Sequence, residues 1–420
     1  MVGERRGYET EKEWWLDSGS LLARMLDVSE YTTDQQYHHL LFFHRHLIPF
    51  LGPKPIRWPS LISGSGLPIE YSLNFQENST PVIRAATEPV GYEAGTPADP
   101  FNKRPLEKFV TGAFKYGVKG FDTALLDHFA QTLFLPDADV FNAVDLNAAF
   151  PRTHAGIGFD FKGDNVVIKG YVHPGWRSRA SGIPVSTLVK DSVDGIQRKL
   201  NCKEAFSLVN EYMDESDSYN LRTFIAWDCT PIHTSRLKIY GIHNDVSLAK
   251  IEELWTMGGR LTDVTAHEGL NHLRRLWGLL DINNKTAQSA HYDEGGDTQN
   301  QDGQPGCESN SKSSTPDPKV ERRLPLFWNY EMKSGSTRVA PKIYFPVYGE
   351  NDLMVATALS RFFASLGWDK KANEYVGLVR QLYPDLDVSK TSRLQALISF
   401  AYSQEKGVYM SVYYHSTSCY

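Results

Sequence analysis

The chain has 420 residues, of which 44 are Lys or Arg and 50 are Asp or Glu, so its formal net charge is −6. This acidic balance argues against a nucleic-acid-binding protein, because such proteins use a basic surplus to hold phosphate backbones. Hydrophobic residues make up 41% and charged residues 22%, as in ordinary globular proteins, which excludes global disorder. The sequence is rich in aromatic residues, with 21 Tyr, 21 Phe and 9 Trp, so the tyrosines are candidates for lining a site.

The first 15 residues are charged and lack the apolar run of a signal peptide, and no stretch has the roughly 18 apolar residues of a membrane span. Four scattered cysteines form no C-x-x-C pair, so neither a zinc site nor a disulfide framework is indicated. We therefore expect a cytoplasmic protein that does not enter a membrane.

In chain order, strand-like alternation appears in five pairs of segments, and each pair is joined by a short polar turn. Helical patterns of period 3.6 lie between the pairs, for example over 185–199, 246–257, 264–280, 352–366 and 373–383. The five predicted hairpins are 67–75 with 81–89, 155–161 with 166–173, 221–229 with 236–243, 326–332 with 339–347, and 394–402 with 408–415.

Ten strands in sequential hairpins, with helices before each pair, predict an α+β fold: a ten-stranded antiparallel β-barrel surrounded by helices, built from five repeated αββα units. The alternative is an open α+β sheet, which is less favoured because ten twisted strands tend to curl or close. We expect residues 1–420 to form one domain. Residues 283–321 are almost entirely polar, so we expect them to be a disordered insertion.

The second strand of each hairpin carries cations or tyrosines in phase. Residues i and i+2 of a strand share a face, so each strand presents these side chains to one side of the sheet. Helices cover the outside of the predicted barrel, and unpaired cations beneath them would be costly, so the interior is the expected location. The residues in phase are Arg84, Lys169, Tyr171, Arg236, Lys238, Tyr240, Lys342, Tyr344, Tyr409 and Tyr413.

Five cations inside one barrel suit a multiply charged anion such as a diphosphate. The tyrosines have a chemical role in such a site if the anion is an allylic diphosphate that ionises to a carbocation. Aromatic faces stabilise a carbocation by about 1–2 kcal/mol each when desolvated, and their bulk keeps water away. Taken one at a time, each tyrosine is equally compatible with an ordinary core residue.

Glu70 is the one carboxylate in the otherwise apolar first strand, whose partner in the hairpin carries Arg84. It is positioned to hold a substrate N–H and accept a proton as the acceptor ring becomes nucleophilic. An ion pair between Glu70 and Arg84 is the alternative interpretation.

The sequence indicates no metal cofactor. The nearest approach to a magnesium-binding aspartate run is Asp214-Glu215-Ser216-Asp217, which is interpreted as a solvated loop. Glycine-rich phosphate loops of the G-x-x-x-x-G-K-[ST] and G-x-G-x-x-G kinds are also missing from a strand-to-helix setting. Direct binding of the anion by cations is therefore expected.

Several long motifs resemble the fungal dimethylallyltryptophan synthase family of aromatic prenyltransferases, and its cyclic dipeptide (brevianamide F) branch most. The resemblance covers nearly the whole chain apart from residues 283–321. The motifs are GLPIEYSLNFQ at 66–76, GFDF at 158–161, KGYV at 169–172, KIYG at 238–241, PVYGENDL at 346–353, YPDLDVSKTSRLQ at 383–395 and KGVYMSVYYHS at 406–416.

The resemblance implies a ten-stranded barrel that transfers a dimethylallyl group to an indole ring without a metal or other cofactor. It implies that Glu70 binds the indole N–H, and that the partners are dimethylallyl diphosphate and an indole acceptor, with a monomer or homodimer as the assembly. The implied diphosphate ligands are Arg84, Lys169, Arg236, Lys238 and Lys342, and the implied cation shield is Tyr171, Tyr240, Tyr344, Tyr409 and Tyr413.

Family members that prenylate free tryptophan at C4 have a lysine where this chain has Gly156, with His154 nearby. This departure favours a larger acceptor, a tryptophan-containing cyclic dipeptide, and Ala86, Gly156 and His154 are the predicted acceptor-pocket residues. Reverse attachment at C2 or C3 is favoured by the resemblance alone. Prenylation of tyrosine, free tryptophan or an indole terpenoid, and a non-catalytic barrel that binds aromatic ligands, stay open as alternatives.

Overall fold

The computed structural model of the chain describes residues 9–115, 118, 120–136, 152–220, 222–282 and 324–416. Ten antiparallel strands in this part of the chain form a closed barrel in which each strand pairs with its neighbours in sequence and β1 pairs with β10. The barrel predicted from the sequence is therefore confirmed over an open sheet. The strands are β1 (Ile69–Phe75), β2 (Val82–Thr87), β3 (Ala155–Lys162), β4 (Asn165–Val172), β5 (Phe224–Asp228), β6 (Arg236–His243), β7 (Leu326–Lys333), β8 (Val339–Pro346), β9 (Gln395–Ser403) and β10 (Gly407–Tyr414).

Helices precede every hairpin, as the repeat predicts. They begin at capping residues in several places; Thr32, for example, forms a capping box with Gln35 at the start of the second α-helix. The α-helices of the described residues are α1 (Ser20–Val28), α2 (Thr33–Phe42), α3 (Arg104–Lys115), α4 (Ala124–Leu133), α5 (Gly175–Ser181), α6 (Val185–Asp194), α7 (Gln197–Leu200), α8 (Lys203–Glu215), α9 (Leu248–Thr256), α10 (Val264–Leu280), α11 (Asp352–Ser365) and α12 (Asp369–Leu382).

The main hydrophobic core lies between the outer face of the barrel and these helices. Phe129 of α4 contacts Trp227 of β5 with ring centroids 4.7 Å apart, and Trp255 of α9 contacts Phe400 of β9 at 5.4 Å. Each strand gives alternate apolar residues to this layer, so the other set of alternate residues points into the barrel.

Glycine allows two of the outer tryptophans to lie flat against the sheet. A Cβ atom at Gly170 of β4 would collide with the ring of Trp227, and one at Gly241 of β6 would collide with Trp328. Each of these tryptophans lies directly opposite its glycine on the neighbouring strand. This close approach gives a packing reason for glycine in the KGYV and KIYG motifs.

Some predicted boundaries differ from the structure. The segment predicted as one helix over 185–199 is two helices, α6 and α7, because Ile196, with φ −109° and ψ 0°, departs from regular helical geometry. The predicted insertion at 283–321 lies outside the described residues. None of the helices in the described ranges is long and apolar enough to span a membrane.

Candidate active site

The strand register places every cation and tyrosine predicted for the site on the interior face of the barrel. Arg84 lies opposite Ser72, Lys169 opposite Asp228, and Lys238 opposite Glu331, each pair sharing one side of the sheet. The even-numbered strands run in the same direction, and β4, β6 and β8 each present a lysine first and a tyrosine two residues later. We call Arg84, Lys169, Arg236, Lys238 and Lys342 the basic cluster.

Three carboxylates, Asp160, Asp228 and Glu331, pair with four of the five residues of the basic cluster. Asp160 of β3 lies 2.5 Å from Nζ of Lys169 and 3.1 Å from Nε of Arg84. Burial opposes ionisation of Asp160, but the two cations outweigh it and hold its pKa well below the ordinary value. Burial lowers the pKa of Lys169 to about 7, against the attraction of Asp160. Lys169 therefore titrates near neutral pH.

Arg236 is held by the other two carboxylates. Its Nε donates to Asp228 at 2.6 Å and its Nη2 donates to the other oxygen of Asp228 at 3.1 Å, a two-point contact that fixes the guanidinium plane. Glu331 accepts from Arg236 at 3.2 Å and lies 3.6 Å from Nζ of Lys238. Five cations against Asp160, Asp228 and Glu331 leave a net charge of 5 − 3 = +2 when all are ionised.

Lys342 has a different environment from the rest of the basic cluster. Its ammonium lies 4.7 Å from the ring centroid of Tyr409, and no carboxylate of the described residues lies within ion-pair distance of it. Burial and the nearby Arg84 and Lys238 lower its pKa well below the ordinary lysine value. Arg84 also contacts Tyr409, through a hydrogen bond to its hydroxyl. Tyr409 thus belongs with the cations.

The other four tyrosines form a continuous layer with two phenylalanines. Phe224 stacks on Tyr240 with centroids 4.2 Å apart, and Tyr344 lies 6.0 Å from Tyr240. Asn329 donates to the hydroxyl of Tyr344 at 2.9 Å, which fixes that ring. Burial raises the pKa of Tyr344 well above the ordinary value, so this phenol stays neutral. The layer consists of Tyr171, Phe224, Tyr240, Phe327, Tyr344 and Tyr413, and we call it the aromatic layer.

Glu70 does not pair with Arg84, so that alternative is wrong. The carboxylate of Glu70 is buried, and its partner is His415, whose Nε2 lies 3.4 Å from Oε1. Burial raises the pKa of Glu70, and the contact with His415 opposes that shift. On the neighbouring strand Ala86 lies directly opposite Glu70, and Ala86 also follows Arg84 by two residues. A small side chain therefore stands where the even strands β4, β6 and β8 supply a tyrosine.

The predicted space above Gly156 is occupied. A Cβ atom at Gly156 would lie 2.7 Å from Cδ1 of Ile62 and 3.2 Å from the carbonyl oxygen of Thr87. The expectation that glycine by itself leaves room for a larger acceptor is therefore corrected, because Ile62 from the segment before β1 fills that position. The free width at this end of the barrel depends on the side chain of Ile62.

A buried carboxylate anchors the segment that carries Ile62. Glu88 accepts hydrogen bonds from the hydroxyls of Ser60 at 2.5 Å and Thr153 at 2.7 Å. The same two hydroxyl oxygens accept from the backbone N–H groups of Ile62 at 3.2 Å and Leu61 at 2.9 Å. This network holds Ile62 over Gly156.

His154, the third predicted pocket residue, has packing contacts. Its ring stacks on Phe134 with centroids 5.0 Å apart, and its Nε2 accepts from the backbone N–H of Leu135 at 3.1 Å. These partners lie in the segment after α4. The structure thus brings Ala86 beside Glu70 and Ile62 beside Gly156, and it ties His154 to the preceding connection.

Sequence reasoning missed Asp160, Asp228 and Glu331 as members of the site. The alternation argument concerns the second strand of each hairpin, whereas these carboxylates lie on first strands. The tight turn between β3 and β4 pairs Lys162 with Asn165. Side-chain alternation along both strands from this pair places Asp160 on the same face of the sheet as Lys169.

Among the described residues no group of three or more His, Cys, Asp or Glu side chains is arranged to hold a metal ion. Asp160, Asp228 and Glu331 are each paired with lysine or arginine. Glu215 in the acidic run at 214–217 ends α8 and pairs with Arg260.

Comparison with known proteins gives consistent results. The family model described as tryptophan dimethylallyltransferase matches residues 10–377. The chain is 42% identical to the reverse prenyltransferase criA of Aspergillus cristatus over 412 residues, covering 97% of this chain and 90% of the relative. It is 42% identical to the deoxybrevianamide E synthase of Aspergillus versicolor over 414 residues, covering 98% of this chain and 91% of the relative.

A solved structure is also similar. The crystal structure of NotF in complex with brevianamide F and DMSPP superposes with a TM-score of 0.84 at 40% sequence identity, covering 98% of this chain and 96% of that chain.

Proposed function

The chain belongs to the tryptophan dimethylallyltransferase family and is an aromatic prenyltransferase, and from this premise we propose that it transfers a dimethylallyl group from dimethylallyl diphosphate to the indole ring of a tryptophan-containing cyclic dipeptide. The single observation that carries the proposal is the combination, inside one barrel, of a basic cluster, an adjoining aromatic layer and the buried carboxylate of Glu70, which pairs with none of the cluster's cations. The similarity to a structure with brevianamide F and DMSPP supports both substrate classes.

The basic cluster binds the diphosphate and stabilises it as it leaves. Negative charge develops on the departing diphosphate when the allylic C–O bond breaks, and fixed cations stabilise that charge without reorganising. The carboxylates Asp160, Asp228 and Glu331 hold the cations in place before substrate arrives. Because these carboxylates are already engaged by cations, we propose that the reaction proceeds without a metal ion.

The aromatic layer receives the allyl cation. Its ring faces lie next to the basic cluster and attract positive charge, and its buried surface excludes the water that would convert the cation to an alcohol. The indole ring then attacks the cation and a carbon–carbon bond forms. After attachment at C2 the C2 proton leaves and the ring regains aromaticity, whereas after attachment at C3, which carries no hydrogen, the N–H proton leaves and a non-aromatic indolenine results. We propose Tyr171, Tyr240, Tyr344 and Tyr413 as this shield, with Tyr409 assigned to the diphosphate end.

Glu70 orients the acceptor. Its carboxylate faces the interior opposite Ala86, where the absence of a large side chain leaves space beside the aromatic layer. An indole N–H that donates to Glu70 makes the ring more nucleophilic as positive charge develops on its nitrogen. Reverse attachment at C2 or C3 is proposed by similarity to a reverse prenyltransferase.

The test is incubation of the purified protein with dimethylallyl diphosphate and cyclo-Trp-Pro in the presence of EDTA. Free tryptophan and tyrosine serve as competing acceptors. We expect a prenylated cyclic dipeptide and an equal amount of released diphosphate. No product from any indole acceptor would overturn the proposal, and preferential use of free tryptophan would overturn the assignment of the acceptor.

A matched pair of variants tests the indole contact. Glu70→Gln is expected to lower kcat strongly because the amide cannot take a negative charge. Glu77→Gln, in the exposed turn that follows β1, changes the same functional group outside the barrel and should leave kcat unchanged. Equal activity of the two variants would contradict the role of Glu70.

A further inference from the structure

The side chain of His415 lies beside Glu70 and is not used by the mechanism above. The pairing of β1 with β10 ends at Tyr71 opposite Tyr414, so the next residues, Glu70 and His415, continue as neighbours. Nε2 of His415 lies 3.4 Å from Oε1 of Glu70, and both side chains are buried. In the described part of the chain neither ring nitrogen of His415 has a hydrogen bond of its own.

Two backbone contacts hold His415 independently of its ring. Its N–H donates to the carbonyl of Leu394 at 3.0 Å, and its carbonyl accepts from the hydroxyl of Tyr383 at 2.7 Å. The ring itself meets Tyr348 edge-on, with centroids 5.4 Å apart. The backbone of His415 is fixed by these contacts, and a phenyl ring could pack against Tyr348 equally well. The feature that distinguishes the imidazole is Nε2, which lies 3.4 Å from the Glu70 carboxylate.

We propose that His415 is a positioning residue for Glu70: its Nε2–H donates to the carboxylate, keeps it ionised and leaves its other lone pairs directed at the acceptor N–H. This inference rests on the proposed contact between Glu70 and the indole. Catalytic hydrogen bonds are often long before substrate binds and tighten in the complex, so a small rotation of the ring is sufficient.

The reason for a partner is the burial of Glu70. A carboxylate removed from water favours its neutral form, and a neutral carboxyl group is a weaker acceptor for the indole N–H. The contact with His415 opposes the rise in the pKa of Glu70 that burial causes. The Arg84 guanidinium is engaged by Asp160, and the residue opposite Glu70 on the neighbouring strand is Ala86, whose side chain has no donor, so His415 is the donor within reach.

Other titratable and charged side chains lie around Glu70 and His415. Tyr413 of β10 lies close enough for the Glu70 charge to help burial raise the pKa of that phenol. On the opposite side Arg393 lies 5.7 Å from the ring of Tyr348, which separates it from His415. Beyond Ser416, Asp17 is paired with Lys54 at 2.9 Å. These groups stay in place when His415 is changed.

The experiment compares His415→Gln, whose amide nitrogen reaches about as far as Nε2, with His415→Phe, which keeps a flat ring and removes the donor. The pH dependence of kcat/KM for cyclo-Trp-Pro is measured at saturating dimethylallyl diphosphate. We expect the acid limb, where Glu70 must lose its proton, to move about one pH unit toward alkaline pH in His415→Phe. The Gln variant should keep the limb close to that of the unchanged protein.

The outcomes separate this inference from the proposed function. An acid limb that stays in place in both variants, in a protein that prenylates the dipeptide normally, would overturn the role of His415 and leave the proposed function intact. If the unchanged protein makes no product, the proposed function fails first. In a Glu70→Gln background His415→Phe should cause no further loss of kcat, whereas a large additional loss would show a role unrelated to Glu70.

Discussion

Oδ1 of Asp160 lies 2.5 Å from Nζ of Lys169, and both side chains are buried inside the barrel. The same carboxylate lies 3.1 Å from Nε of Arg84, so one aspartate of a first strand joins the cations of two second strands. The anion site is therefore assembled before any anion arrives. Mutual repulsion of the cations is offset by carboxylates that lie on the strands between them.

Asp160→Asn is expected to lower the free energy of unfolding by about 3 kcal/mol at neutral pH, because removing one partner leaves buried cations uncompensated. The pKa of Asp160 is depressed in the folded state, so its contribution is present above the ordinary aspartate pKa and is lost as pH falls through the folded value. Urea unfolding with and without inorganic diphosphate measures this. The diphosphate should recover part of the loss.

Asp164→Asn in the exposed turn after β3 is the matched control and should leave stability unchanged. If Asp160→Asn is as stable as this control at neutral pH, the carboxylate does not organise the cations.

Binding of dimethylallyl diphosphate should take up protons. Burial lowers the pKa of Lys169 to about 7 and that of Lys342 well below the ordinary value, so these two lysines hold their protons less firmly than an exposed lysine does. A bound diphosphate favours the charged lysines, and affinity should therefore weaken as pH rises above about 7. Calorimetry in buffers of different ionisation enthalpy measures the uptake.

Lys342→Gln should reduce this proton uptake and raise the Kd for the diphosphate about tenfold, as expected for loss of one contact to a charged group. Lys333→Gln, which changes an exposed lysine at the end of β7, is the control. Proton uptake that is unchanged in Lys342→Gln would contradict the assignment of that lysine.

Tyr344→Leu should raise the proportion of dimethylallyl alcohol relative to prenylated product. Loss of one ring face removes about 1–2 kcal/mol of cation stabilisation, and the smaller side chain admits water, so we expect an increase of about tenfold. Tyr344→Phe keeps the ring and should give much less alcohol. Equal alcohol formation by the two variants would argue against an aromatic shield. Chromatography of the two products makes the comparison.

Ile62→Ala should widen the acceptor end of the barrel, because Cδ1 of Ile62 fills the position over Gly156. We expect kcat/KM for the bulkier cyclo-Trp-Trp to rise about tenfold relative to cyclo-Trp-Pro. Adding Gly156→Ala to Ile62→Ala returns a methyl group to the space and should reduce this gain. A substrate ratio that is the same in all three proteins would place the specificity elsewhere.

Much of the site follows from strand alternation. Lys169 with Tyr171, and Lys238 with Tyr240, share the interior face because two residues separate them, and this needs no knowledge of the tertiary structure. The helical coverage of the barrel then excludes an outward orientation for buried cations. The closed order of strands follows from the five hairpins, and it is confirmed by the pairing of β1 with β10.

Other features depend on contacts between distant segments. Ile62 fills the space over Gly156, and predicting this contact requires the path of the irregular segment before β1. The hydrogen bonds of Glu88 determine that path, and no periodicity in the sequence indicates it. Closure of the barrel also determines which residue lies beside Glu70. His415 directly follows β10, and it reaches Glu70 because β10 pairs with β1. Position 70 alone was therefore equally compatible with a partner on β2 and one after β10.

The most direct test of the central claim is a crystal structure with cyclo-Trp-Pro and the dimethylallyl thiolodiphosphate analogue bound together. The account predicts that the diphosphate contacts the basic cluster, that the dimethylallyl group lies against the aromatic layer, and that the indole N–H donates to Glu70. A diphosphate bound outside the barrel, or an indole N–H directed away from Glu70, would contradict it.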